Sequence, residues 1–231
     1  MADSPEFRIG VLASGGGTTF EALHQAIQTD ELANTEIAFV VCNNGQANPD
    51  ALVWEKAHRL GVDIFHVSNK TQEDCTLPIV DGLPMSGTIS YEASEKMAKL
   101  AREYGVRMFA ALGFMRRVIG QVIEEVPIVN THPGPLPATA GQHGTGVQEE
   151  VMRRGLDFSG PTLHWMEAGV DGSGVQQYDV GQVIGHEPVP LTDDMKSEWD
   201  EFGTVGILKK EVMRVEKLWI PKWIAVAEAQ L

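Results

Sequence analysis

An amide, an imidazole and a rigid proline-glycine run stand together at Val129-Asn130-Thr131-His132-Pro133-Gly134-Pro135-Leu136-Pro137. Asn130 and His132, one residue apart, can both reach a reacting carbonyl, the amide as a donor and the imidazole as a donor or proton carrier. The preceding residues, Glu125 to Val129, read as a short buried strand. The proline and glycine that follow cannot form regular structure. The pair therefore stands where a strand gives way to a loop. Open parallel sheets bind ligands just beyond the carboxyl ends of their strands.

A second constellation is Ser14-Gly15-Gly16-Gly17-Thr18-Thr19. It follows an apolar strand and opens a helix, so backbone N–H groups and the helix dipole could face a phosphate. A tight turn without any ligand is the alternative, and the glycines alone do not separate the two. The dinucleotide fingerprint is not met, because its third glycine position is Phe20. The second strand also ends in Cys42-Asn43-Asn44, without an acidic residue for a ribose diol. No lysine follows the glycines, which excludes a P-loop. Cys42 and Cys75 have neither metal-ligand nor disulfide-framework spacing, so no metal is expected and a reducing compartment is.

The elements that must position these groups alternate along the chain. Phe7 to Ala13 reads as a strand and Phe20 to Gln28 as a helix. Glu36 to Cys42 is a second strand, Pro49 opens a helix to about Leu60, and Val62 to Val67 is a third strand. Ser68 to Ser90 is an irregular excursion or lid. Tyr91 to Tyr104 is a helix closed by Gly105, Val106 to Leu112 a strand, and about Met115 to Glu125 a helix. Beyond the central stretch come a helix near Gly146 to Arg154 and strands at Pro161 to Met166 and Val183 to Val189. Ser197 to Ala229 is mostly helical. This alternation predicts an α/β fold, a doubly wound, mostly parallel sheet with helices on both faces, as one domain over 1–231.

Composition narrows the function. With 43% hydrophobic and 22% charged residues, the chain has the makeup of a soluble globular protein. A net charge of -14 disfavours nonspecific nucleic-acid binding. No apolar run approaches bilayer length and the N-terminus is acidic, so a cytoplasmic protein off the membrane is expected.

Three segments together resemble the 10-formyltetrahydrofolate-dependent formyltransferases, in the branch acting on glycinamide ribonucleotide in purine synthesis. They are Val11 to Phe20, Leu112-Gly113-Phe114-Met115-Arg116, and Asn130 to Pro137. The resemblance runs from about Phe7 to Trp223, and its Asn-x-His-Pro-x-x-Leu-Pro block is the most specific part. It implies a formyltransferase-type Rossmann-like fold with Asn130 and His132 catalytic. It places the substrate phosphate on Gly16, Gly17, Thr18 and Thr19, the ribose on Glu216, and the folate against Met115, Arg116, Arg117 and Val118, with His164 nearby. Monomer or homodimer, small-molecule substrates and 10-formyltetrahydrofolate as co-substrate complete the expectation. Thr19 stands where the family usually has asparagine, and Met213 where a polar or cationic side chain often helps the phosphate. In such a reaction a neutral amine attacks a formyl carbon. Asn130 and a protonated His132 donate to the developing oxyanion, and a carboxylate takes up the amine proton through water.

Two aspartates compete for that carboxylate role. Counting forward from His164, Asp171 falls at the family spacing; counting back from Val189-Pro190, Asp179 does. Asp179 begins the family's Asp-x-Gly-x-Val-Ile pattern and is tied to the next strand by Gly181. Asp171 lies in a turn-forming Asp-Gly-Ser-Gly run, poorly suited to holding a group in place. Asp179 is the reading. Alternatives are formyltetrahydrofolate hydrolase, methionyl-tRNA or sugar-nucleotide N-formyltransferase, an inactive nucleotide-binding module and a dinucleotide-dependent dehydrogenase. The hydrolase's regulatory domain and the tRNA enzyme's additional C-terminal domain are not expected here.

Overall fold

The computed structural model describes residues 7–67, 88–167, 179–197 and 203–231. Asp171, Cys75 and nearly all of the Ser68 to Ser90 excursion lie outside the described residues. The chain falls into two compact units, and their boundary lies between Val129 and Asn130. In order, the seven-stranded sheet runs β3-β2-β1-β4-β5-β7-β8. Its strands are β1 (Phe7–Ala13), β2 (Thr35–Cys42), β3 (Ile64–His66), β4 (Met108–Ala111), β5 (Ile128–His132), β7 (Thr162–Trp165) and β8 (Val183–His186). Two short strands, β6 (Phe158–Ser159) and β9 (Val189–Pro190), form a separate antiparallel pair.

In the first unit β1 pairs in parallel with β2 and β4, and β2 with β3. Helices α1 (Thr18–Gln28), α2 (Val53–Leu60) and α3 (Tyr91–Tyr104) connect or flank these strands. Ile9, Val11, Leu12, Phe39, Val40 and Phe109 are buried. Such near-continuous apolar runs are what a parallel sheet covered on both faces requires. Phe39 meets Phe65, Tyr104 and Phe109 edge-on at centroid distances of 5.6, 5.1 and 5.9 Å. Each such pair contributes about 0.5–1.5 kcal/mol beyond its area burial. Gly10 makes room for this cluster, since a Cβ there would come within 2.4 Å of the Phe109 ring.

The second unit carries α5 (Gly146–Arg153), α6 (Asp193–Ser197) and α7 (Thr204–Glu228). Its core joins Val151 of α5 to Val189, Leu191, Leu208, Val212 and Val215. Strand β8 lies antiparallel to β7, and Gly185 lets the Trp223 indole press against the β8 backbone.

Several boundaries differ from expectation for identifiable reasons. The expected Met115 to Glu125 helix shrinks to α4 (Gln121–Glu125), because Gly120 adopts φ 71 and ψ -151, outside helical space. A side chain at Gly120 would also meet Ser94 and Tyr91 at 3.1 Å. Asn48 caps Asp50 N–H, and its carbonyl takes Ala51 N–H, so this local turn delays α2 to Val53. The expected Val183 to Val189 strand divides at Glu187-Pro188 into β8 and β9, which pair with different partners. The strand expected at Glu125 to Val129 starts later and extends through His132.

Candidate active site

Because β5 runs through His132, Asn130 and His132 are alternate residues of one strand and project on the same side. They converge on Asp179, which lies just ahead of β8. His132 Nδ1 is 3.3 Å from Asp179 Oδ2, and Asn130 Nδ2 donates to Oδ1 at 3.4 Å. The backbone N–H of Gly141 donates to Oδ2 at 2.9 Å. His164, buried on β7, completes the group with Nε2 3.8 Å from Oδ1.

The backbone fixes this aspartate. Asp179 has φ 52, a left-handed conformation that aspartate tolerates better than most residues. Gly181, at φ 119, lies so close to β7 that a Cβ would sit 2.0 Å from the Trp165 carbonyl oxygen. Trp165 N–H in turn donates to Gln182 O at 2.9 Å. Glycine alone allows this approach, which holds the segment after Asp179 against β7.

Hydrogen bonds set the protonation pattern. His164 Nδ1 faces the Trp165 carbonyl at 2.9 Å, a contact only an N–H can make. Its Nε2 is therefore free to accept from Asn130 Nδ2 at 3.1 Å. Burial pushes the His164 imidazole below its ordinary titration range, outweighing its carbonyl and Asp179 partners. Burial also opposes the Asp179 charge. The His132 hydrogen bond and charge, the Gly141 N–H and His164 outweigh it and hold that carboxyl below the usual aspartate range. The site therefore contains an ionised proton acceptor beside an imidazole and an amide. Both Asn130 amide hydrogens are engaged, and the 3.4 Å bond to Asp179 is the longer, which a substrate oxygen could displace.

The glycine turn lies in the first unit. Gly17, at φ 61, is the N-cap of α1 and has no side chain to cap that helix end. Helix N-termini leave backbone donors without intrahelical partners, which suits an anion. A Cβ on Gly17 would come within 2.9 Å of Val53, whereas one on Gly16 would meet nothing nearer than 4.0 Å among the described residues. Ser14, not singled out in the sequence, is the buried hub of this region. Its hydroxyl accepts Met115 N–H at 2.7 Å and donates to Asn43 Oδ1, joining the ends of β1, β2 and β4.

The other expected positions vary in surroundings. Met115 is exposed and Val118 buried. Met115 N–H is committed to Ser14, and the Arg117 carbonyl accepts Ile89 N–H at 3.1 Å. Arg116 donates to the Met115 carbonyl at 3.1 Å. Glu216 is buried on α7, where Met213 is partly exposed. Thr18 and Thr19 form the first turn of α1. Among the described residues no group of three His, Cys, Asp or Glu side chains is arranged to hold a metal, and no helix is long and apolar enough to cross a membrane.

Sequence reasoning missed Thr139 and Gly141, which contact His132 and Asp179. Their only signal was a place in the irregular stretch after Pro137, where no periodicity marks which residues face inward.

The chain is 25% identical over 230 residues to a chloroplastic phosphoribosylglycinamide formyltransferase of Arabidopsis thaliana, covering 97% of this chain and 66% of that protein. It is 24% identical over 220 residues to the phosphoribosylglycinamide formyltransferase of Bacillus subtilis (strain 168), covering 94% and 92%. The crystal structure of glycinamide ribonucleotide transformylase 1 from Symbiobacterium toebii is 28% identical and superposes with a TM-score of 0.69, covering 94% of this chain and 85% of that one. The model of the formyl transferase family matches residues 7–192, most of the sequence and all of the Asn130, His132 and Asp179 cluster, and the chain belongs to that family.

Proposed function

We propose that the protein transfers the formyl group of 10-formyltetrahydrofolate to the amine of glycinamide ribonucleotide, in purine synthesis. The observation that carries this reading is an ionised Asp179, pinned by Gly141 and Gly181 beside His132 and Asn130 at the end of β5. The relatives' names supply the substrates.

The amine nitrogen bonds to the formyl carbon, and the carbonyl π electrons move to oxygen. Asn130 exchanges its long bond to Asp179 for one to this oxyanion, beside the His132 imidazole. A preorganised donor of this kind is worth about 3–4 kcal/mol of barrier. Asp179 takes the proton the amine loses, through water, and returns it by the same route to the leaving folate nitrogen as the oxyanion collapses and the bond from that nitrogen to carbon breaks. His164 holds Asn130 by a bond that uses its neutral form.

The Gly16, Gly17, Thr18 and Thr19 turn holds the phosphate, Glu216 the ribose, and Met115 to Val118 the folate. Met115 N–H and the Arg117 carbonyl are engaged within the protein and brace that segment. The protein acts as a single formyltransferase domain in the cytoplasm, as monomer or homodimer, without a metal. A 13C-labelled formyl donor tests this reading. The label should appear as formamide on the ribonucleotide amine. Label released as formate with the ribonucleotide untouched would assign the chain to folate hydrolysis.

A further inference from the structure

The two ring nitrogens of His132 face different surroundings. Nδ1 faces Asp179, whose side chain is 17% exposed and whose other oxygen meets Asn130 and His164. Nε2 faces the Thr139 hydroxyl at 2.9 Å, and Thr139 is 0% exposed. Among these neighbours, exposure lies on the Nδ1 edge.

Hydroxyl, imidazole and carboxylate are thus in line, as in a nucleophilic triad. A triad hydroxyl must reach its substrate, and a fully buried one cannot. What the Thr139 hydroxyl can do is rotate. Its single proton has two acceptors in range, His132 Nε2 at 2.9 Å and the Pro135 carbonyl at 3.1 Å. The ionised Asp179 favours a proton on Nδ1, so a neutral ring presents a lone pair at Nε2 and accepts from Thr139. In a charged ring Nε2–H donates to Thr139 Oγ1, and the hydroxyl proton turns to Pro135. The Pro135 carbonyl also accepts Thr139 N–H at 3.1 Å, so it keeps a partner in both cases. No heavy atom moves.

The surrounding loop is built to hold that hydroxyl. Gly134 leaves the space it fills, since a Cβ there would lie 2.4 Å from both Thr139 Oγ1 and Val147. The Pro133 carbonyl accepts from buried Gln148 Nε2 at 2.6 Å, and Gln148 Oε1 accepts from buried Ser159 at 2.6 Å. The Gly134 carbonyl accepts from Thr162 Oγ1 at 2.7 Å. Three consecutive carbonyls after His132 are each fixed by a buried side chain.

We propose that Thr139 is a positioning residue: a hydroxyl rotor that satisfies His132 Nε2 in both protonation states and reserves the Nδ1 edge, with Asp179 and Asn130, for the reacting groups. The proposal rests on the assignment of His132 to formyl transfer. Among the described residues, Asp179, ahead of β8, and His164, on β7, are titratable groups that face His132.

The test compares Thr139→Val, which keeps the shape and removes the rotor, with Thr139→Ser, which restores it. Nitrogen NMR of the 15N-labelled, ligand-free full chain follows His132 through a pH titration. The expected neutral ring carries its proton on Nδ1. In the valine variant a charged ring has an unsatisfied buried N–H, so the ring loses its proton at a pH lower by about half a unit or more. Turnover should fall about 10-fold or more with both KM values within about 2-fold, and serine should recover the wild-type titration and most of the turnover. Thr139→Ala replaces valine if that variant does not fold. A neutral ring protonated on Nε2, a valine variant that titrates like wild type, or a serine variant that behaves like valine would overturn the proposal. The titration needs no substrate, so failure of the formyl-transfer reading would show separately, as a wild-type chain without activity.

Discussion

Asp179→Asn removes one charge and leaves nearly every other contact in place. Asparagine tolerates φ 52 as readily as aspartate, and its carbonyl can still accept the Gly141 N–H now at 2.9 Å. What disappears is the charge that would take up a proton, together with the acceptor of Asn130 Nδ2 at 3.4 Å, which then faces an amide nitrogen. Loss of a general base typically costs 10²–10⁴-fold, about 3–5 kcal/mol of barrier at 1.36 kcal/mol per decade. Loss of one hydrogen bond to a charged group lowers unfolding stability by about 1.5–3 kcal/mol at most, so the variant should remain folded. The assay is steady-state formyl transfer at saturating substrates, beside thermal unfolding followed by circular dichroism. Turnover should drop at least 100-fold while the KM values change little, and Asp171→Asn should stay within a few-fold of wild type. A folded Asp179→Asn variant with turnover within about 3-fold of wild type would rule out Asp179 as the proton acceptor, and a matching loss in Asp171→Asn would move the role there.

Other perturbations separate binding from folding. Gly16→Ala has room for its methyl, so it should raise the KM for glycinamide ribonucleotide with the melting temperature unchanged. Gly17→Ala forces a left-handed alanine against Val53 and should cost about 1–3 kcal/mol of stability, read by urea unfolding. Gly181→Ala meets the Trp165 carbonyl and should displace Asp179, losing turnover together with about 2 kcal/mol or more of stability. His164 and His186 are both held below their ordinary range by burial, so the unfolded chain binds more protons than the folded one under mild acid. Stability should therefore fall as pH drops below about 6.5. Asp179, with a depressed folded value, adds a further loss only below about pH 4. A melting temperature that is flat from pH 7 to 5 would contradict this.

The sequence carried the first βα unit because β1, the glycine turn and α1 depend on local signals: an apolar run, left-handed glycine and helical periodicity. Asn130 and His132 were legible for a similar reason, as a strand meeting a proline-fixed loop. Asp179 needed two spacing counts, because the eight-residue difference between them falls where strand patterning ends. Thr139, Gly141 and Gln148 were not legible. They contact His132, Asp179 and the Pro133 carbonyl only through tertiary folding of a stretch without periodicity. The reversal of β8 was equally hidden, since a four-residue partly exposed strand reads the same in either direction. The overlong Met115 helix failed at Gly120, whose backbone angles no local propensity specified.

Delivery of a formyl group by the cluster around Asp179 to the amine of glycinamide ribonucleotide can be read from a single rate. Its most direct measurement is the initial rate of tetrahydrofolate release from 10-formyltetrahydrofolate, with and without the ribonucleotide, for wild type and His132→Ala. Release should depend on the ribonucleotide and fall at least 100-fold in the variant. Release at the same rate without the ribonucleotide, or undiminished in His132→Ala, would contradict that delivery.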